Sequence, residues 1–286
     1  MKKLVLPLFL MIAGVAAGQI RPFDNSKAIL PWIYNPAASF AEGFQAYIGY
    51  DGRGSGNFLP QSVVAGLRMP VLAGRRSRHS PTTMVGVQLL NTTQDLLKAS
   101  TINATFAHQI SLTRTMKIAM GLGAGVYNMR YNFEALEYMD ANDPLLNSGK
   151  NFFNMHLNAG AALVMDDKFF VNLAFPYLVK DNRANLTEII FRAGYEFALN
   201  PDLALIASAN LDTYNHNLIF GGDLRAEWRK MVSFIAGADR YKYHGGILLD
   251  IKPFSLGYTY GLNFSSSLDN VPSHQISVFS DLPLRR

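Results

Sequence analysis

Three sets of residues in this chain carry groups that could do chemistry. Gly121, Gly123 and Gly125 stand at every second position. A phosphate-binding loop uses glycines at a strand-to-helix turn, where helix N-terminal amides meet the anion. These three alternate with Met120, Leu122, Ala124 and Val126, and no helical pattern follows. They read instead as the small positions of one strand face, packed against something that approaches closely. The six histidines, His79, His108, His156, His216, His244 and His274, show no i, i+4 helical pairing and no carboxylate pattern for zinc. A hydrolase would need a serine and a histidine brought together across strands. His156 and Ser208 could both face one side, but no spacing links them. We therefore expect no catalytic residue, metal or cofactor. The third set is charged: Asp51, Arg68, Glu188, Arg192, Glu196, Asp223, Arg225, Glu227, Asp239 and Asp250. A selectivity constriction would favour one sign. Mixed signs favour an ion-pair lattice, and pairing across a narrow interior suggests a filled one.

The elements that must position these groups are strands. Phe153, Met155, Leu157, Ala159, Ala161 and Leu163 alternate with Asn154, His156, Asn158 and Gly160. A period of two sends alternate residues to opposite faces, so each such segment has one apolar and one polar face. The pattern predicts strands at Phe44–Asp51, Ser62–Met69, Thr83–Leu90, Ser100–Ile110, Lys117–Tyr131, Phe152–Val164, Phe169–Phe175, Leu186–Phe197, Leu203–Tyr214, Asn217–Trp228, Val232–Tyr241, Gly245–Ile251, Phe254–Tyr260 and His274–Ser280. Even-numbered connections are mostly tight, as at Met165–Lys168 and Arg229–Met231. Odd-numbered ones are often long, as at Asn132–Asn151 and Pro176–Asn185, and the basic stretch Pro70–Pro81 is a long exception among the even ones. Tight turns at one rim and long loops at the other are the mark of an outer-membrane barrel, with the turns in the periplasm. A soluble sandwich also alternates. Aromatics near strand ends, among them Tyr50, Tyr127, Tyr131, Tyr195, Phe197, Trp228, Tyr241, Tyr258 and Tyr260, fit interfacial girdles and favour the barrel. The expected fold is all-β, a transmembrane antiparallel β-barrel of about fourteen strands.

Bulk properties agree. There is no cysteine, the charged fraction is 16% and the aromatic fraction 12%. The formal charge of +5 includes Lys2 and Lys3, which open a signal-peptide pattern, so nucleic acid is not an expected partner. Leu4 to Val15 form its apolar core and Ala16-Ala17-Gly18 precede the expected cut. Residues 1–18 thus read as a cleaved signal, 19–43 as a periplasmic or lumenal segment, and 44–286 as the barrel. Within 19–43, Trp32, Asn35 and Pro36 mark the segment expected to plug the lumen, because Pro31 and Pro36 make it a poor strand. The longest connection carries Phe133, Leu136, Tyr138, Met139, Leu145 and Leu146 among acids. It reads either as a protein contact surface or as a cap over its own barrel mouth.

Several of these motifs, taken in order, bring the chain close to one family. Asn35-Pro36-Ala37-Ala38-Ser39 is followed by the Gly121-x-Gly123-x-Gly125-x-Tyr127 strand, then by Leu157-Asn158-Ala159-Gly160-Ala161 with Asp167-Lys168-Phe169-Phe170-Val171. Leu256-Gly257-Tyr258-Thr259-Tyr260 and Ser273-His274-Gln275-Ile276 close the series. In these the chain resembles the PorP/SprF outer-membrane proteins of the Bacteroidetes type IX secretion and gliding machinery. The resemblance implies an integral outer-membrane barrel without catalytic residues. Such a barrel would be an accessory or anchoring component for a secreted, adhesin-like surface protein, with that client, secretion components and outer-membrane lipid as partners. The long loop would then be the client-binding surface. The alternative is a diffusion channel or hydrophobic-solute transporter, which calls for a wide interior with one dominant charge sign.

Overall fold

A computed structural model describes residues 27, 29–38, 43–53, 61–73, 82–94, 97–131, 151–176, 188–214, 217–263 and 272–282. The client-loop candidates Phe133, Leu136, Tyr138, Met139, Leu145 and Leu146 lie outside these residues, as does the stretch 1–18 expected to be a signal. Fourteen strands run in chain order: β1 Phe44–Arg53, β2 Gln61–Ala73, β3 Thr82–Gln94, β4 Leu97–Ser111, β5 Met116–Tyr131, β6 Asn151–Met165, β7 Phe169–Phe175, β8 Ile189–Asn200, β9 Leu203–Tyr214, β10 Asn217–Trp228, β11 Val232–Asp239, β12 Lys242–Ile251, β13 Phe254–Asn263 and β14 Ser273–Leu282. Each pairs antiparallel with its sequence neighbours, and β1 pairs with β14 from Phe44↔Leu282 to Arg53↔Ser273, so the sheet closes. Closure removes every free edge, as a strand protein in lipid must.

Burial decides between barrel and sandwich, because it is the reverse of a soluble protein's. Met155 is 75% exposed, Met120 63% and Phe220 62%, whereas Thr259 is 0%, Gln275 2% and Asp51 2% exposed. Polar residues are enclosed and apolar ones face outward, which water would penalise and lipid accepts. Among the described residues no helix is long and apolar enough to cross a membrane; the crossing elements are strands.

Most strands are longer than the hydropathy alternation alone marks, because hydrogen-bonded pairing continues past the apolar band. β2 reaches Ala73, and its register shifts between Pro70 and Leu72. Proline has no N–H for the ladder, so the strand passes it with an irregularity instead of ending there. The start of β8 moves in the other direction, to Ile189. Tyr127 leaves the outer girdle: it shares parity with the buried Gly121 and Gly123, and its hydroxyl donates to Met129 Sδ at 3.2 Å. Its aromatic type suggested a girdle place, but strand parity sets its face.

The tight turns hold their strands with little chain. Asp166 and Asp167 have φ of 53° and 55°, and Arg229 and Lys230 of 51° and 55°. Two consecutive left-handed residues make the turn whose twist matches antiparallel strands. Lys168 N donates to Met165 O at 3.0 Å, and Met231 N to Trp228 O at 3.0 Å, closing each.

Candidate functional site: the occupied lumen

Lys27 and residues 29–38 lie inside the barrel and contact strands on both sides of it. A single short turn of 3-10 helix at Pro31–Ile33 is the only regular structure there among the described residues. Asn35 Oδ1 accepts from Ala37 N at 2.9 Å, which folds the Asn-Pro-Ala sequence back on itself as an Asx turn. Asn35 Nδ2 donates to Ala161 O on β6 at 3.1 Å. Arg68 on β2 donates to Pro36 O, and Gln88 Nε2 on β3 donates to Ile33 O at 3.4 Å.

Trp32 sits edge-on to Tyr47 of β1 and Phe279 of β14, with centroids 6.0 and 5.7 Å apart. Around it Ile29, Leu30 and Ile33 join Tyr47, Val64, Ile235 and Leu248 in the main buried apolar cluster. The barrel's hydrophobic core is therefore the contact between inner segment and wall.

The glycine row explains how the segment comes so close. A Cβ built on Gly121 would stand 2.7 Å from Ala37 N and 2.8 Å from Pro36 C, inside any permitted contact. The Asn158 side chain occupies the space over Gly123, and His156 that over Gly125. Asn35 similarly sits over Gly160 of β6. Absent side chains on the wall thus make room for a turn of main chain.

The opposite wall is ionic. Asp223 of β10 is its hub: Asn210 Nδ2 donates to Oδ2 at 2.7 Å and Ser208 Oγ at 3.3 Å, while Arg192 Nη2 lies 3.7 Å away. His244 Nε2 lies 2.6 Å from Asp223 Oδ1. These two residues are separated by one strand, and Gly237 of β11 stands in register between them. A Cβ on Gly237 would meet both at 2.5 Å, so this glycine lets the pair close over it. Arg192 also donates through Nη1 to Lys27 O at 3.2 Å and lies 5.4 Å over the Phe170 ring. Lys27 pairs with Asp212, tying the segment's start to β9. Arg225 and Glu227 pair at 2.7 Å along β10.

Glu188 is 2% exposed just before β8, and Glu196 lines a cavity of about 260 Å³ with Pro31, Lys168, Phe170, Arg192, Asp223 and Arg225. Lys168 belongs to the β6–β7 turn, so the cavity lies toward the tight-turn rim.

Sequence reading missed the His244–Asp223 pair and the role of Lys27. Its available signal was Gly237, a small residue at an inward position. The structure does not unite His156 with Ser208: His156 lines a small crevice with Asn103 and Asn158, while Ser208 is bound to Arg192 and Asp223. Ser208, Asp223 and His244 form a chain, but with the carboxylate in the middle. A hydrolytic triad needs histidine between acid and serine to take the serine proton, so this order activates no nucleophile. No group of three His, Cys, Asp or Glu that could hold a metal occurs among the described residues.

A closed fourteen-strand barrel with apolar exterior and a chain segment inside defines the class: an integral outer-membrane β-barrel with an occupied lumen. The chain belongs to the PorP/SprF family, type IX secretion system membrane proteins, whose pattern matches residues 31–279. No curated protein matches it. Among solved structures it is similar to outer membrane protein Omp33 of Acinetobacter baumannii, with TM-score 0.53 and 9% identity over 85% of this chain and 99% of that one. The monoaromatic hydrocarbon channel CymD gives TM-score 0.53 and 13% identity over 96% and 97%. The toluene transporter TbuX of Ralstonia pickettii gives 0.53 and 12% over 94% and 96%. At such identities the likeness is one of fold.

Proposed function

We propose that this barrel is an accessory and anchoring component that holds a type IX secreted surface protein at the outer membrane. Residues 1–18 serve as a cleaved export signal, 19–43 as the lumenal plug, and 44–286 as the barrel. The observation that carries the reading is the inner segment, Lys27 with residues 29–38, fixed to at least nine strands by hydrogen bonds, ion pairs and close packing. A wall knitted to its own contents suits a rigid scaffold for binding better than a conduit. The client meets the loop Asn132–Asn151, where Phe133, Leu136, Tyr138, Met139, Leu145 and Leu146 supply apolar anchors within an acidic rim.

The test is replacement of Glu134–Ser148 by a short Gly/Ser turn. The barrel should keep its heat-modifiable mobility on gels while the client is lost from the cell surface; a client that stays bound refutes the loop assignment. The channel reading draws on the 260 Å³ cavity beside the segment. It requires large, steady conductance from the intact protein in planar bilayers, whereas the anchoring reading expects little.

A further inference from the structure

The lipid-facing side of the barrel carries a phosphate-sized patch of positive charge. Strand parity assigns every described strand residue to lumen or lipid. Among the described residues, only Lys98 of β4 and Arg130 of β5 are charged on the lipid face. They stand directly opposite each other in the β4–β5 register, and both are exposed. Neither makes an ion pair with a described residue. Directly opposed residues have Cβ atoms about 4.5–5.5 Å apart, and like charges so placed destabilise a sheet. Among the described residues no acid balances this pair, which leaves its charge open to an anion.

Its surroundings say what kind. Ser100 and Asn128 form the next outward pair, and Asn91 accepts from Ser100 Oγ at 3.2 Å. One outward layer further in, Leu89, Ile102 and Val126 are cross-strand partners and begin the apolar band. Lys98 is four residues from Ile102, or about 13 Å along the strand, and a tilt near 45° brings the charges about 10 Å above that layer. That is the headgroup level. Both residues lie at the strand ends beside the odd-numbered connections, the outer rim in this class of barrel. Elsewhere this rim carries uncharged side chains on the same face, aromatic or aliphatic as at Tyr50, Tyr243, Tyr258 and Phe153 and neutral polar as at Gln61 and His274.

We propose that Lys98 and Arg130, with Asn91, Ser100 and Asn128, form a binding site for a phosphorylated glycolipid of the outer leaflet. The guanidinium grips two phosphate oxygens, the ammonium adds a point charge, and the amides and hydroxyl receive the sugar or remaining phosphate oxygens. A sideways-facing site at this depth favours a lipid over a soluble partner.

The experiment is native mass spectrometry of the full protein in nonionic detergent with bis-phosphorylated lipid A. The double variant Lys98→Gln, Arg130→Gln should bind the lipid at least tenfold more weakly, and Lys230→Gln at the opposite rim should bind it normally. Dephosphorylated lipid A should bind the unaltered protein as weakly, which decides the matter even if the double variant does not assemble. Equal binding of the two lipids, or by the double variant, overturns the site. Full displacement by millimolar inorganic phosphate would make it a free-phosphate site and overturn the lipid assignment. So would loss of a co-purifying protein from the double variant with lipid binding intact.

Discussion

The two sides of the lumen hold one inner segment by opposite means. Along β1, β5, β6, β13 and β14 the wall meets it with rings and with missing side chains: Trp32 between Tyr47 and Phe279, Pro36 and Ala37 over Gly121, Asn35 over Gly160, Ile29 against Gly257. Along β8, β9 and β10 it is met by charge: Lys27 on Asp212, Arg192 on the Lys27 carbonyl, and Asp223 behind Arg192. Packing by shape leaves no room, and Leu30 and Ala37 are both fully enclosed. Packing by charge needs only a few long side chains, and the 260 Å³ cavity lies on that side. Shape fixes where the segment sits, while charge holds it beside an open space.

The largest effect should therefore come from the packed side. Trp32→Ala removes both ring contacts of a half-buried side chain, so the loss should fall below the about 3–5 kcal/mol of a fully buried aromatic. Gly121→Val places new atoms against the Pro36–Ala37 main chain, which cannot yield as a side chain would. Both variants should still form a heat-modifiable barrel, because the wall's own pairing is untouched, but should conduct more in planar bilayers as the segment leaves. Conductance unchanged in both would mean that the packed side is dispensable, and the contrast would collapse.

The next effect belongs to the hub of the charged side. Asp223→Ala leaves Arg192 and His244 facing an empty place. Removing one partner of a buried pair costs about 3–5 kcal/mol, and the 12% exposure of the Arg192 side chain argues for the lower end. Replacing both partners, Asp223→Leu with Arg192→Met, should recover most of the lost stability in urea titrations, since apolar substitution of a whole buried pair is often neutral. A double variant no better than the single one would show that the ions do more than balance each other.

What the sequence made legible follows the same division. The barrel was readable because lipid on one side and polar lumen on the other write a period of two into nearly every strand. Small residues at one parity marked a face of close approach, and Gly121 meets the inner segment, while Gly123 and Gly125 leave room for the Asn158 and His156 side chains of β6 instead. The ionic partners were not. Asp223 and His244 are 21 positions apart and meet only because Gly237 intervenes in register, a relation that pairing fixes and spacing does not. Parity also outranked residue type at Tyr127, whose ring suggested the girdle and whose position put it inside.

The smallest effect should come from Glu227→Gln, and it sharpens the contrast from within the charged side. Glu227 pairs with Arg225 at 2.7 Å, but the two side chains are 17% and 25% exposed and lie near the β10–β11 turn. A pair partly open to water gains little, about 0–1 kcal/mol, because solvent already screens both charges. Neither residue is bonded to the inner segment by any contact described above, so conductance should stay low and the urea midpoint should hardly move. High salt should weaken what remains of this pair before it touches the enclosed Asp223 cluster. If Glu227→Gln instead matches Asp223→Ala, the charges along β8–β12 act as one cooperative lattice. Burial at each pair would then no longer set its worth, and the charged side would be as unforgiving as the packed one.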